Sequence, residues 1–204
     1  MGENMARTGN PERKTELLDQ ILEYLVDVPL AQASFRSLAD ALGVSTFALV
    51  YHFGNREQLD QEILGVVRDR QANEITGVDP LSLSGEDLIE RGLRVWAEGL
   101  TRRGLLASRL AFEAGVTERL HSPEGGILAQ AHEKWCRVVG SWAIAHGATQ
   151  ETAELESGLL LAGFTGMNYR VHVWGPAAVP TAHVEALLRR FVSQVAPAEA
   201  VAAR

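Results

Sequence analysis

A chain of 204 residues carrying a formal net charge of −7 and a single cysteine is long enough for one good core, or for a small module fused to a larger one. The lone Cys136 excludes an internal disulfide framework and a multi-cysteine metal site, and in its helical setting it reads as a small apolar residue. The acidic balance argues against binding a polyanion by bulk electrostatics, and charges or glycines interrupt every apolar run before the roughly 18 to 20 residues of a membrane span.

The opening MGENMARTGNPERK has no secretory apolar core, and Ala6 stands where a myristoylation signal carries Ser or Thr. A soluble, cytoplasmic protein with no membrane partner is expected. From Pro11 onward the period is helical nearly everywhere. Leu17, Leu18, Ile21, Leu22, Leu25 and Val26 share one face and Glu16, Asp19, Glu23 and Asp27 the opposite one, which predicts an amphipathic first helix ending near Pro29. Ser34 predicts the N-cap of a short helix over 35–42, with Phe35, Leu38, Ala39 and Leu42 inward and Gly43 as its stop. Ser45 then caps a third short helix, with Val44, Leu49 and Phe53 inward and Thr46, Phe47, Val50 and Tyr51 outward.

A fourth helix is expected from Arg56 into the seventies, with Leu59, Ile63, Val66 and Val67 inward, followed by the linker TGVDPLSLSG. Five more helices are expected at 84–102, 104–120, 124–146, 150–174 and 181–196, separated at RRG, HSPEGG, HGATQ and WGPAAVP. No segment alternates with period two and no solenoid repeat is present. The fold class is therefore all-α: a three-helix helix-turn-helix domain over 11–55 and a helical domain over 56–196. The helix 56–75 connects the two, and 1–10 and 197–204 are read as disordered tails.

Two short helices joined by a tight turn containing glycine, across a longer preceding helix, form a helix-turn-helix. A helix as short as the third buries too little to exist for its own stability, which suits an element that enters a DNA major groove. The segment SFRSLADALGVSTFALVYHFGNREQL, residues 34–59, resembles the N-terminal motif of the TetR family of transcriptional regulators. The matches are Ser34, Arg36, Ala39, Gly43, Val44, Ser45, Leu49, His52, Phe53, Arg56 and Leu59. In two places the chain departs from the family pattern. Val50 replaces the usual tyrosine, with Tyr51 one place later, so that either Tyr51 reaches the phosphate from a neighbouring angle or that contact is lost. Arg56 replaces the usual lysine, keeping the charge but exchanging a point donor for a fork.

The resemblance implies a homodimeric, ligand-responsive repressor that binds a palindromic double-stranded DNA operator and is released by a small apolar or aromatic effector. Its candidate DNA contacts here are Ser34, Arg36, Ser45, Thr46, Phe47, Tyr51, His52 and Arg56. Phe47 suits a thymine methyl, whereas His52 is read either as a phosphate donor or as a polar residue closing the turn. Residues 1–60 carry five basic against nine acidic groups, and four of those acids lie on the solvent face of the first helix. Weak non-specific binding with a modest salt dependence follows. The basic arm from Arg7 to Lys14 either supplements that binding or is a solvated tail.

In the second domain Gly158, Ala162 and Gly166 recur every four residues, a small-residue stripe that allows close helix approach, either within the chain or across a two-fold dimer. By resemblance this helix and the last one, with Leu187 and Phe191, form the dimer interface. Trp96, Phe112, Trp135, Phe164 and Met167, with Trp142 and Tyr169 near them in the pattern, are read as effector-cavity walls or as ordinary core. Glu113 is placed to pair with Arg109 at i,i+4.

An enzyme reading finds little. HEKWC at 132–136 lacks the second histidine of a zinc-protease motif, and the glycines at 158, 163 and 166 are not a nucleotide loop. No cofactor and no metal are expected. The alternative function is a helical protein-interaction module of the same fold with weak or absent DNA binding.

Overall fold

The computed structural model describes residues 11–75, 80–121 and 126–196. Among the described residues the secondary structure is helical, with nine α-helices and no strand, as the periodicity predicts. The chain divides into two compact units, Met1–Val67 and Arg68–Arg204, so the division falls inside the fourth helix. The two terminal tails and the first part of the linker, 76–79, lie outside the described residues, as does most of the HSPEGG break.

In the N-terminal unit, α1 spans Pro11–Tyr24 and buries Leu17 and Ile21. It stops short of Pro29, where the sequence pattern carried it. The reason is visible in the hydrogen bonds: Leu25 N still donates to Ile21 O, but Val26 N and Asp27 N turn to the carbonyls three residues back, Glu23 and Tyr24. The helix tightens and ends before Pro29, which lacks an N–H and disfavours helical backbone in the residue before it. A 3-10 turn, Leu30–Gln32, follows. Then come α2 (Phe35–Leu42), α3 (Thr46–Phe53) and α4 (Arg56–Ile75). Leu17, Ile21, Leu38, Leu49, Leu59 and Ile63 are almost fully buried and make the core of this unit. Val44 is half-buried. Val66 is exposed and Leu64 buried; Val66 shares the face of Leu59 but lies almost two turns further on, past the core of this unit.

The C-terminal unit holds α5 (Gly85–Gly99), α6 (Arg102–His121), α7 (Ile127–Ala145), α8 (Gln150–Trp174) and α9 (Thr181–Val195). Ser84 and Asp87 make a reciprocal capping box at the start of α5, and the Ser84 hydroxyl bond holds the Asp87 carboxyl below its ordinary pKa. Gly104, read from the sequence as a break, lies inside the first turn of α6. A Cβ there would strike the backbone carbonyls of Glu98 and Gly99, so the glycine permits the tight α5–α6 corner. The break itself is at Leu100 and Thr101, and Thr101 Oγ1 accepts from Gly104 N at 3.2 Å.

Trp142 anchors the core of this unit. It is fully buried, donates from Nε1 to Leu83 O at 2.8 Å, and lies 5.9 Å from Phe191 and 4.1 Å from His146, ring centre to ring centre. Two glycines let α9 settle onto its neighbours. Leu188 occupies the space beside Gly92 of α5, and Leu187 the space beside Gly163 of α8. Arg190 of α9 meets the buried Glu156 of α8, Nη1 to Oε2 at 2.9 Å, which gives that carboxylate the partner its burial demands.

Candidate nucleic-acid interface and a cavity in the helical unit

Both short helices of the N-terminal unit begin on serine caps. Ser34 Oγ accepts from Ser37 N at 3.0 Å while Ser34 N donates to Ser37 Oγ at 2.9 Å. Ser45 Oγ accepts from Ala48 N at 3.1 Å. Gly43 takes the left-handed conformation, φ 66°, between them, a position a side chain would strain. These caps use the hydroxyl acceptors to satisfy helix N–H groups that otherwise go unmet. Two of the positions expected to touch DNA, Ser34 and Ser45, are thus also the ones that cap α2 and α3.

Helix α3 is fastened by Leu49 and Phe53, one turn apart and both buried. The opposite side carries Thr46, Phe47, Val50 and Tyr51, all exposed. Phe47 is 78% exposed and Val50 and Tyr51 each 48%; at i, i+3 and i+4 they form one continuous apolar patch next to the Thr46 hydroxyl. Arg36, second residue of α2, is exposed as well. Tyr51 packs edge-on against His52, centroids 5.2 Å apart. His52 is half-buried and lines a shallow groove with Lys14, Gln58 and Glu62.

Arg56 is employed differently from the sequence expectation. Its Nε donates to both oxygens of Asp60, at 2.8 and 2.9 Å, and Nη2 donates to Leu30 O at 2.8 Å. The fork ties the first turn of α4 to the 3-10 turn after α1, a geometry that a lysine could not reproduce. Asn55 and Gln58, which sequence reasoning passed over, cap α4 reciprocally through two 2.9 Å bonds. The signal was available: an Asn with Gln three residues later has the spacing of a capping box. Arg13 and Lys14 engage Glu16 and Glu62, and Lys14 Nζ stands 5.8 Å from the Phe53 ring centre.

In the C-terminal unit a cavity of about 250 Å³ opens between α5, α7, α8 and α9. Leu88 and Val95, Trp135 and Val139, and Leu160 and Phe164 supply apolar walls from the first three of these helices. Four polar residues also line it: Arg91, His132, Thr165 and Asn168. Of the residues expected at an effector site, Trp135 and Phe164 are there. Trp96, Phe112 and Met167 do not line this cavity. Trp96 is buried in the core with its ring 6.2 Å from Phe164, Met167 packs against the same core, and Phe112 lies edge-on to Tyr169 and His172. The polar members were missed, yet Arg91 carries a sequence signal: it interrupts the stripe Leu88, Gly92, Val95 at i+3.

His172 accepts or donates a 2.8 Å hydrogen bond between Nε2 and Ser108 Oγ. Burial, with the Arg109 charge second, holds its pKa below the ordinary histidine value. Arg109 Nε meets Glu113 Oε1 at 3.4 Å, as the i,i+4 spacing suggests.

Gly158, Ala162 and Gly166 all lie exposed on α8, and a Cβ at either glycine would meet nothing within 4 Å. Packing within the protomer therefore gives no reason for these glycines. Leu155, Leu159, Tyr169 and Val173 are exposed beside them, and the series 155, 159, 162, 166, 169, 173 alternates steps of four and three along one side of the helix. Of Leu187 and Phe191, expected in the same interface, Phe191 is 1% exposed in the protomer core, and Leu187 is half-buried over Gly163.

No protein-family model and no curated protein matches the sequence. Solved structures do match in fold. A transcriptional regulator from Rhodococcus sp. RHA1 superposes with a TM-score of 0.69 at 19% identity, covering 91% of this chain and 96% of the other. A TetR-like transcriptional regulator from the same source gives 0.64 at 15% identity, over 97% and 100% of the two chains. A TetR family transcriptional regulator from Pseudomonas syringae pv. tomato gives 0.62 at 18%, over 91% and 97%. With nine-tenths or more of each chain covered, this chain has the fold of the TetR-family transcriptional regulators.

Proposed function

We propose that this protein is a homodimeric transcriptional repressor that reads a palindromic operator through α3 and is released by a small apolar or aromatic effector bound in the C-terminal cavity. The observation that carries the reading is the outward face of α3. A two-turn helix capped by Ser45 and pinned by Leu49 and Phe53 presents Thr46, Phe47, Val50 and Tyr51 to solvent, which is costly for a monomer and suited to a major groove. Ser34, Arg36, Ser45, Tyr51 and His52 supply the phosphate contacts, and Arg56 acts behind them by fixing α4. The exposed seam of α8 supports the dimer that a palindrome requires. Effector uptake shifts the packing of α5, α7 and α8 and, through dimer geometry, the spacing of the two reading helices.

The apolar character of Phe47, Val50 and Tyr51 also favours a second reading, in which this face binds a protein. Selection from a random duplex pool separates the two. An enriched inverted repeat is the expected result, and a pool with no enriched repeat at low salt would leave the protein-interaction module as the better account.

A further inference from the structure

We propose that the effector is a small anion with an apolar body, a monocarboxylate in chemical class, with Arg91 as the residue that selects it; this rests on the reading of the C-terminal cavity as the effector site. The cavity is divided by polarity. Its depth is made by buried side chains, Val139, Leu160 and Leu188, while His132 and Thr165 are exposed and Arg91 and Asn168 half-buried. An apolar body therefore goes inward and a polar head remains at the mouth. At about 250 Å³ the space lies below the usual range of drug-sized pockets, roughly 300 to 1,000 Å³, so the ligand is small.

The sign of the head follows from the lining. Arg91 brings a permanent positive charge, and no Asp or Glu is among the lining residues. A guanidinium offers five N–H donors in a planar fork, enough to receive a carboxylate as well as a partner within the protein. Asn168, Thr165 and His132 each add a donor. A cationic ligand would find no carboxylate on the wall to receive it, so it would give up hydration without gaining a charged partner. A neutral head would use the hydrogen bonds and forgo the charge. The lining thus discriminates in the order anion, neutral, cation.

The test uses two matched series with the 204-residue chain: phenylacetate, phenylacetamide and phenethylammonium, and hexanoate, hexanamide and hexylammonium. Affinity is measured by calorimetry and checked by thermal shift, since a ligand of the native state raises Tm. The expected result is at least a tenfold tighter Kd for each acid than for its amide, with no binding of the ammonium. In Arg91→Gln the acids lose their advantage and bind no tighter than the amides, and Arg91→Lys, which keeps charge but loses the fork, lies between. Amides or ammoniums binding as tightly as acids, or a preference for acids that survives in Arg91→Gln, would overturn the anion and leave the cavity in place. In Leu161→Trp, which fills the cavity, all binding is lost; probes that bind this variant unchanged would overturn the cavity as the site. Failure of every probe to bind the wild type at millimolar concentration overturns both.

Discussion

Leu187 occupies the space that a Cβ at Gly163 would need, its Cδ2 standing 2.6 Å from that position. The same helix carries Gly158 and Gly166 with open space around them, so α8 holds glycines of two kinds. Alanine favours a helix over glycine by about 1 kcal/mol, and overpacking costs about 1 to 3 kcal/mol. Gly163→Ala is therefore expected to lower Tm or leave it level, because the displaced leucine consumes the helical gain. Gly158→Ala and Gly166→Ala are expected to stabilise the protomer and weaken self-association, read by sedimentation over a concentration series. Unaltered self-association in both would count against the exposed seam as the dimer interface.

Arg56 is predicted to matter for folding more than for DNA. Its three hydrogen bonds, two to the Asp60 carboxylate and one to Leu30 O, join two elements of one unit. Bonds of this charged kind are each worth about 1.5 to 3 kcal/mol when a partner is left unmet, tempered here by partial exposure. Arg56→Ala should lower the denaturation midpoint by an amount equivalent to about 1 to 2 kcal/mol on that basis, while its effect on operator affinity at saturating folded protein stays smaller than that of Arg36→Ala. The reverse order would return Arg56 to the phosphate-contacting set.

What the sequence disclosed was whatever depended on local periodicity and local chemistry. Ser34, Gly43 and Ser45 announced both short helices because capping acts within three or four residues, and the bounds of α8 follow from Thr149 and Gly175 in the same way. The terminus of α1 was misplaced because apolar spacing continues through Val26 whereas the backbone tightens early to meet Pro29. The fate of the aromatic residues was hidden for another reason. Trp96 and Trp135 have equal claims to a cavity in one dimension, and only the packing of α5, α7 and α8 sends one into the core and the other to a wall. Leu187 and Phe191 were likewise assigned by analogy, and Gly163 opposite Leu187 was weighed only as part of a nucleotide loop, not as the place where α9 comes close to α8.

His172 supplies a pH dependence. Its pKa is lowered by burial first and Arg109 second, so the folded ring stays neutral at a pH where the unfolded chain's histidine takes a proton. Stability is then complete above the ordinary histidine value near 6.5, declines as the pH falls below it, and levels off once the folded value is passed. Urea unfolding of wild type and His172→Asn at several pH values between neutral and acidic is expected to converge as the pH drops, the variant having the shallower decline. Parallel declines would show that His172 does not account for the slope.

Among the described residues of the N-terminal unit few cations stand near the proposed DNA-facing side, and that predicts an unusual balance of forces. Arg13, Lys14 and Arg56 are engaged with Glu16, Glu62 and Asp60, while Arg36 stands exposed on α2 and Phe47 on α3. If Arg36 is the charge each subunit brings to a phosphate, a dimer neutralises two, and the slope of log affinity against log salt should be about −2. Arg36→Ala should flatten that slope and weaken all sequences alike. Phe47→Ala should leave both the slope and the Tm unchanged, because the side chain is largely exposed, yet reduce affinity for the selected site. Replacing thymine by uracil at the contacted step removes the methyl that Phe47 is proposed to cover. The two changes should then not add, since each deletes one side of the same contact. Full additivity would place Phe47 elsewhere on the operator, or on no base at all.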